Sequence, residues 1–187
     1  MSIRSHAELE KLRIIGSIVR KALDATAAAV RPGITTGELD EVGARALADN
    51  GAESAPLKVY GFPGALCISV NDEAIHGIPG ARVVQSGDLV KLDLVAEKDG
   101  FYADAALTIN VPPGSERGRQ LAHCAERAFQ QALGGARAGN RAHCVGRADP
   151  SRDFRVGDGL TNRDPLERLP HPPLERGAAD VKRQIEA

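Results

Sequence analysis

Two acidic residues in the middle of the chain stand within runs that are otherwise apolar. Asp93 lies in the run 89–97 and Asp104 in the run 101–111, and both runs have the composition of β-strands. Aspartate is uncommon in strands, and burying an unpaired carboxylate costs roughly several kcal/mol. His76 precedes both acids in a segment rich in glycine and proline. These three side chains are the first candidates for a metal or catalytic site.

The turn between the two runs decides whether the acids can cooperate. Residues 98–100 read Lys-Asp-Gly, which is a hairpin signal. A two-residue turn at Asp99 and Gly100 makes Asp93 and Asp104 diagonal neighbours, whereas a four-residue loop makes them direct partners. Both registers leave the carboxylates on one face of the sheet, about 5 to 8 Å apart. A three-residue loop would separate them.

Two carboxylates on one sheet face repel each other unless a cation lies between them, which favours a metal site. The alternative is a solvated face on which the acids only add solubility. His76 has the same ambiguity, because a lone histidine is more often structural than functional. Spacing alone leaves both interpretations open.

Length and composition limit the classes of protein that fit. A chain of 187 residues is long enough for one domain with a substantial core. Lysine and arginine number 24 against 25 acidic residues, so no general affinity for nucleic acids or membranes is expected. Three cysteines without CxxC spacing favour a reducing compartment, and the N-terminus has no apolar signal core. We expect a cytoplasmic protein.

The elements that position these residues follow from periodicity and capping patterns. A Ser-x-x-Glu box at Ser5 predicts a helix that ends before Pro32, and a second box at Thr35 predicts a helix to Asn50. The segment 56–64 is loop-like, and 66–70 is a short strand. Ser115 caps a last helix through about residue 133. The predicted apolar stripes of the three helices are Leu9, Leu12, Ile15, Val19, Ala22 and Leu23; Leu39, Val42, Ala46 and Leu47; and Leu121, Cys124, Ala125, Ala128, Phe129 and Ala132.

The composition and periodicity of the chain change near its C-terminal end. Residues 141–148 have the pattern of another helix start, but 149–187 show no sustained period and are rich in proline, arginine and aspartate. Such a segment cannot bury enough apolar surface to offset its ordering entropy, so we expect a disordered tail with at most a short helix at 178–185. The fold class is α+β, an antiparallel sheet with packing helices.

Two long strings resemble a known family. GFPGALCISVNDEAIHGIP, followed by GDLVKLDLVAEKDGFYADAALT, closely resembles the type I methionine aminopeptidases, M24 metallopeptidases of the pita-bread fold. The resemblance covers about residues 4–147. It implies that 1–148 form the N-terminal part of a pita-bread (creatinase/aminopeptidase) catalytic domain and that 149–187 lie outside it.

The resemblance implies a role for each site residue. Asp93 corresponds to the bidentate ligand of one metal, and Asp104 to the carboxylate that bridges two. His76 corresponds to the catalytic histidine that hydrogen-bonds the substrate near the scissile amide. Phe62 and Cys67 correspond to positions lining the pocket for the methionine side chain, where an aromatic ring and a soft thiol suit a thioether.

The implied reaction is hydrolytic removal of the initiator methionine when the next residue is small. The family uses two divalent ions, Co, Mn, Fe or Zn. Its substrates are the N-termini of nascent polypeptides, which places the enzyme near the ribosome. The resemblance also implies a monomer for the complete fold, without nucleic-acid or membrane partners.

The family completes its site with motifs that this sequence lacks. These are a histidine in G-H-G-x-G-R, a glutamate in T-x-E-P and a further bridging glutamate. His171, Glu167, Glu175 and Glu186 have no matching context. We therefore expect weak metal affinity, impaired turnover, and an exposed apolar face and sheet edge that promote self-association. A shifted reading frame after codon 148 is our hypothesis, and translating the other two frames tests it.

Three other interpretations are open. The first is an Xaa-Pro peptidase of the same fold, against which the string from His76 to Pro79 counts. The second is a non-catalytic relative that serves as a binding module. The third is a zinc site from Ala-His-Cys at 122–124 and 142–144, but adjacent side chains on a helix point about 100° apart. Packing of Cys124 in the core is the simpler explanation.

Overall fold

The structure is a computed structural model, and it describes residues 3–137. Within that range the chain forms four helices and four strands. In chain order they are α1 (His6–Ala29), α2 (Thr36–Asp49), β1 (Glu53–Ser54), α3 (Ala55–Tyr60), β2 (Cys67–Val70), β3 (Leu89–Lys98), β4 (Phe101–Asn110) and α4 (Glu116–Gly135). No helix in this part of the chain combines the length and apolar character needed to cross a bilayer. The α+β class is confirmed.

Side-chain caps set the starts of the first two helices, as the sequence predicts. The Ser5 hydroxyl accepts a hydrogen bond from the Glu8 amide, at 3.2 Å. At α2 the box is reciprocal, because Thr35 accepts from the Glu38 amide while the Glu38 carboxylate accepts from the Thr35 amide. Each bond satisfies an amide that the first helical turn leaves without a partner.

One predicted loop is partly helical, which corrects the interpretation of residues 56–64. Helix α3 occupies Ala55–Tyr60, with Ser54 as its cap and Gly61 in a left-handed conformation at its end. Pro56 lies in the first turn, where its missing amide proton would have had no helical partner anyway. Pro56 therefore belongs to the start of a helix and not to a loop. The two-residue strand β1 was also missed.

The sheet is antiparallel and is built around β3. β4 pairs with β3 along its full length on one side, while β1 and β2 pair with its two ends on the other. Lys98 pairs with Phe101, so the turn has two residues, and Asp99 and Gly100 have φ of 54° and 81°. Positive φ at both positions is the type I′ geometry that matches strand twist.

The two faces of the sheet differ. The even-numbered residues of β3 from Val90 to Ala96 are fully buried beneath α1, together with Ile68 and Val70 of β2. Four of the six residues predicted for the α1 stripe are buried, but Leu12 is exposed at 36%. The odd-numbered residues of β3 point to the opposite face, which carries the candidate site.

The prediction of a buried stripe on the last helix is wrong for the described structure. No residue of α4 is buried, and Leu121 and Phe129 are exposed at 54% and 60%. Amphipathic spacing shows that a helix has an apolar face, but it does not show that another element covers it.

The outer edge of the sheet is formed by β4, which has no strand partner other than β3 among residues 3–137.

Several sequence-based expectations fall outside residues 3–137. They are the helix start at 141–148, the boundary at 148, the tail 149–187 with its helix at 178–185, the second Ala-His-Cys at 142–144, and His171, Glu167, Glu175 and Glu186.

Candidate metal and substrate site

The two aspartates lie on one face of the β3–β4 hairpin. Asp93 pairs with Ala106 and Asp104 pairs with Val95, which is the diagonal register expected for a two-residue turn. Asp93 is half-buried and Asp104 is exposed. The side chains are close enough for the Asp93 carboxyl to hydrogen-bond with that of Asp104.

The environment of Asp93 disfavours the ionised form of its carboxyl group. Burial raises its pKa most, and the charge of Asp104 and the hydrogen bond with it raise it further, while His76 lowers it. Burial and a nearby like charge both disfavour the ionised form. A divalent ion bound by both carboxylates would remove this penalty, so the two oxygen donors fit a hard or borderline metal.

The described residues supply only part of a metal site. Within residues 3–137 no cluster of three or more His, Cys, Asp or Glu side chains has a geometry able to hold a metal ion. Two carboxylates alone leave most coordination positions to water or to other ligands. Asp93 and Asp104 therefore fit as members of a ligand set rather than as a complete one.

Cys67 lies beside the pair. It is the direct cross-strand partner of Asp93 on β2, and it is 8% exposed. Burial raises the pKa of its thiol to about 12, with further contributions from the charges of Asp93, Asp104 and Asp40. The thiol stays protonated at neutral pH, so it suits a neutral pocket wall better than a thiolate nucleophile.

His76 reaches the site from a loop that folds back over β2. It lies close enough to Asp93 to lower the pKa of that carboxyl. Its side chain is exposed, and its φ is 56°, in the left-handed region that non-glycine residues seldom occupy. Backbone strain of this kind often accompanies functional positions.

Gly77 explains how the loop approaches so closely. Its amide donates to the Ser69 hydroxyl at 3.0 Å, and its carbonyl accepts from the Ile68 amide at 2.8 Å. A Cβ atom on Gly77 would lie 2.2 Å from the Ile68 carbonyl oxygen. Only glycine allows this contact, so the position after His76 is determined by backbone packing.

Phe62 follows the end of α3 and is 4% exposed. Its segment reaches the His76 loop at Gly64, where a Cβ atom would lie 2.4 Å from Cγ of Pro79. The two loops therefore pack against each other. The structure brings Asp93, Asp104, Cys67 and His76 together. For Phe62 it shows only that the segment around this residue packs against the His76 loop. A role of Phe62 in the substrate pocket stays a prediction.

Sequence reasoning missed two residues that support the site. Asp40 of α2 accepts hydrogen bonds from the amides of Ala65 and Leu66, at 2.8 and 2.7 Å, and so holds the start of β2. Lys91 of β3 donates to backbone carbonyls of the His76 loop. Asp40 directly follows the apolar Leu39 on a helix, and Lys91 occupies a strand position between two apolar residues. A charged residue at either kind of position is usually exposed to solvent, so the sequence did not distinguish these two from ordinary surface charges.

Comparison with known proteins identifies the family of this chain. The model of metallopeptidase family M24 matches residues 10–149. Methionine aminopeptidase 2 of Bacillus subtilis is 45% identical over 149 residues, which are 79% of this chain and 60% of that protein. The chain thus spans about 60% of the length of the curated relatives it matches.

Solved structures agree with the pita-bread assignment. The methionine aminopeptidase of Thermotoga maritima superimposes with a TM-score of 0.67 at 31% identity, covering 71% of this chain and 54% of the other. The prolidase of Pyrococcus furiosus has a TM-score of 0.60 at 23% identity, covering 70% and 37%, and supports the fold alone. Fold and sequence together show that this chain belongs to metallopeptidase family M24.

Proposed function

We propose that this chain represents the N-terminal part of a metal-dependent aminopeptidase, and that the complete enzyme removes N-terminal methionine from proteins. The observation that carries the proposal is the diagonal placement of Asp93 and Asp104 on one sheet face, next to His76. Similarity to methionine aminopeptidases supports this substrate over others.

Asp93 and Asp104 hold the divalent ions in this proposal. Bound there, two such ions would provide a hydroxide nucleophile near neutral pH and polarise the scissile carbonyl. Placing both carboxylates on adjacent antiparallel strands keeps their separation constant, because the β3–β4 ladder restrains both backbones. The partial burial of Asp93 strengthens its attraction for a cation.

The remaining residues orient the substrate. His76, exposed and next to Asp93, donates a hydrogen bond to the peptide near the scissile amide. Cys67 and Phe62, both buried, line the pocket for the methionine side chain. A protonated thiol suits that pocket because it can contact a thioether without introducing a charge.

We also propose that this chain turns over slowly. Residues 3–137 contain no three-ligand metal cluster, and the sequence lacks the family strings that carry the other ligands. Two carboxylates supply about half of the donors that a dinuclear centre needs. We therefore expect weak binding of Mn²⁺ and negligible release of methionine.

The decisive experiment measures metal binding and turnover on the full chain. Calorimetric titration with Mn²⁺ gives affinity, and release of methionine from Met-Ala-Ser with excess Mn²⁺ or Co²⁺ gives activity. The Asp93→Asn variant is the control, and it is expected to abolish the residual Mn²⁺ binding. Turnover typical of an aminopeptidase would contradict the proposed impairment, whereas Mn²⁺ binding unaffected by Asp93→Asn would contradict the metal site.

A non-catalytic binding module is the second candidate, because the described residues hold only a partial ligand set. A pure binder needs no response to Mn²⁺, so the same titration separates the two.

An Xaa-Pro peptidase is a weaker candidate, since the prolidase of Pyrococcus furiosus is only 23% identical to this chain. Release of the N-terminal residue from an Xaa-Pro peptide but not from Met-Ala-Ser would favour it.

The proposal extends to partners and location. Nascent polypeptide N-termini are the substrates, which places the protein near the ribosome in the cytoplasm. The complete fold would act as a monomer, with two ions drawn from Co, Mn, Fe or Zn.

A further inference from the structure

The bend that carries His76 is held at both ends. On its C-terminal side, Gly77 exchanges hydrogen bonds with Ser69 and Ile68 of β2. On its N-terminal side, the Lys91 ammonium donates to the carbonyl oxygens of Glu73 and Ala74, the latter at 2.9 Å. Only Ile75 and His76 lie between the two anchors.

The two anchors differ in kind. The Gly77 side depends largely on backbone groups and on the absence of a Cβ atom. On the other side, the Lys91 ammonium reaches two successive carbonyls. Glu73 is also held there by its own amide, which donates to the Val70 carbonyl, and by its carboxylate, which accepts from the Val70 amide and from Arg82. A hydrogen bond from a charged donor is stronger than a neutral one, and two together orient a peptide pair. Val70 and Arg82 contact Glu73, whereas Lys91 also reaches the Ala74 carbonyl, two residues before His76, and so restrains the last part of the chain that enters the bend.

The position of Lys91 on its strand connects the bend to the aspartates. Lys91 and Asp93 are two residues apart on β3 and point to the same face. The strand is restrained on one side by β2 and on the other by β4. Through Lys91, the strand that presents Asp93 therefore also anchors the loop that presents His76.

We propose that Lys91 is a positioning residue, which fixes His76 relative to Asp93 by clamping the Glu73 and Ala74 carbonyls. The inference rests on the proposed function, since it assigns His76 a place in that site. Lys91 itself touches no reacting group. Loss of the clamp leaves the sheet intact and frees the bend, so His76 samples orientations away from Asp93.

Lys98 offers a matched control. It lies on the same strand, and its ammonium also donates to a backbone carbonyl, that of Asn50. That carbonyl follows α2 and is remote in sequence from the His76 loop. Lys98→Met therefore removes an equivalent bond without touching the bend, and Lys91→Arg keeps a cationic donor at the tested position.

The test compares hydrogen exchange and His76 spectra in the full-length wild type, Lys91→Met, Lys91→Arg and Lys98→Met. In Lys91→Met, amide exchange in the bend, residues 73–77, is expected to rise about tenfold, and in Lys98→Met it should stay at the wild-type rate. Lys91→Arg should restore most of the protection. Equal exchange in Lys91→Met and wild type would overturn the proposal.

A second measurement follows His76 itself. With ¹³C-labelled histidine, added Mn²⁺ broadens the His76 ring signal when the ring lies beside Asp93. We expect this broadening to fall several-fold in Lys91→Met at equal Mn²⁺ occupancy and to persist in Lys98→Met. Unchanged broadening in Lys91→Met would also overturn the positioning role. If Mn²⁺ leaves the wild-type His76 signal unbroadened, the metal-site proposal fails, while the exchange comparison still decides the role of Lys91.

Discussion

Asp93 and Asp104 are diagonal neighbours on one face of the β3–β4 hairpin, because Asp104 pairs with Val95 and Asp93 with Ala106. This register leaves their carboxyl groups within hydrogen-bonding reach without making them direct cross-strand partners. Their mutual repulsion is therefore a property of the metal-free protein, and it has a measurable effect on stability.

Replacing Asp93 by Asn should stabilise the metal-free protein at pH 7. The pKa of Asp93 is raised by burial and by Asp104. A folded state that binds the proton more tightly than the unfolded state loses stability as pH rises through the raised pKa. Ionised Asp93 thus opposes folding at pH 7, and asparagine removes that charge.

Urea unfolding in EDTA and in Mn²⁺ measures this effect. Mn²⁺ should stabilise the wild type but not Asp93→Asn. The exposed Asp49→Asn is the control and should change neither value. A loss of stability for Asp93→Asn in EDTA would show that the carboxylate is compensated in the metal-free fold.

Gly77→Ala should destabilise the fold by about 1 to 3 kcal/mol, because the added methyl group overlaps the Ile68 carbonyl and displaces the His76 loop. Gly80→Ala is the matched control in the same loop, since a Cβ there meets nothing within 4 Å. Thermal unfolding of the two variants checks the prediction. Equal stabilities would mean that the loop does not pack on β2 in solution.

Asp40→Ala should lower the free energy of unfolding by about 2 kcal/mol, because it leaves the amides of Ala65 and Leu66 without their acceptor. Asp49→Ala removes an exposed carboxylate from the same helix and should be nearly neutral. Urea midpoints measure both. A small effect at Asp40 would indicate that water replaces the carboxylate at the start of β2.

Glu97→Gln should destabilise the protein at neutral pH and lose its effect in acid. A hydrogen bond from Lys58 and another from the Gly100 amide lower the pKa of Glu97. A carboxyl with a lowered pKa contributes stability that is present above its unfolded-state pKa and lost as pH falls through the folded one. The difference between variant and wild type should therefore shrink below about pH 4.5.

Urea titrations from neutral to acidic pH test this window. Glu53→Gln is the comparison, because Glu53 pairs with the same lysine but is exposed at 65% and should contribute less. A Glu97 effect that is constant down to the acid limb would contradict the assigned ion pair.

The double variant Leu121→Gln, Phe129→Gln should reduce self-association without lowering stability. Both side chains are more than half exposed on α4, which buries no residue in the described structure. Exposed apolar stripes favour association with other surfaces. Sedimentation velocity measures the change, and Ile14→Gln, at an exposed position of α1, is the control. A marked loss of stability in the double variant would show that the stripe packs inside the protein.

Some elements of the fold were predictable from the sequence and others were not, for physical reasons. Both helix starts at Ser5 and Thr35 were predictable because capping is local in sequence. Helix α3 was missed because a proline in the first turn resembles a proline in a loop. The exposed stripe of α4 was predicted as buried because amphipathic spacing identifies an apolar face without specifying what covers it.

The sequence by itself favoured a shared face for Asp93 and Asp104, because side chains alternate along a strand and loops of two or four residues keep both acids together. The two-residue turn of the structure then selected the diagonal register over the direct one. The family resemblance implied roles in the site for Cys67 and His76, but only the tertiary structure showed which contacts bring them beside the two carboxylates. Those contacts require β2 to pair with β3 and the loop to close through Gly77 and Lys91. Contacts between distant segments depend on mutual burial and backbone fit, which no local pattern of residues encodes.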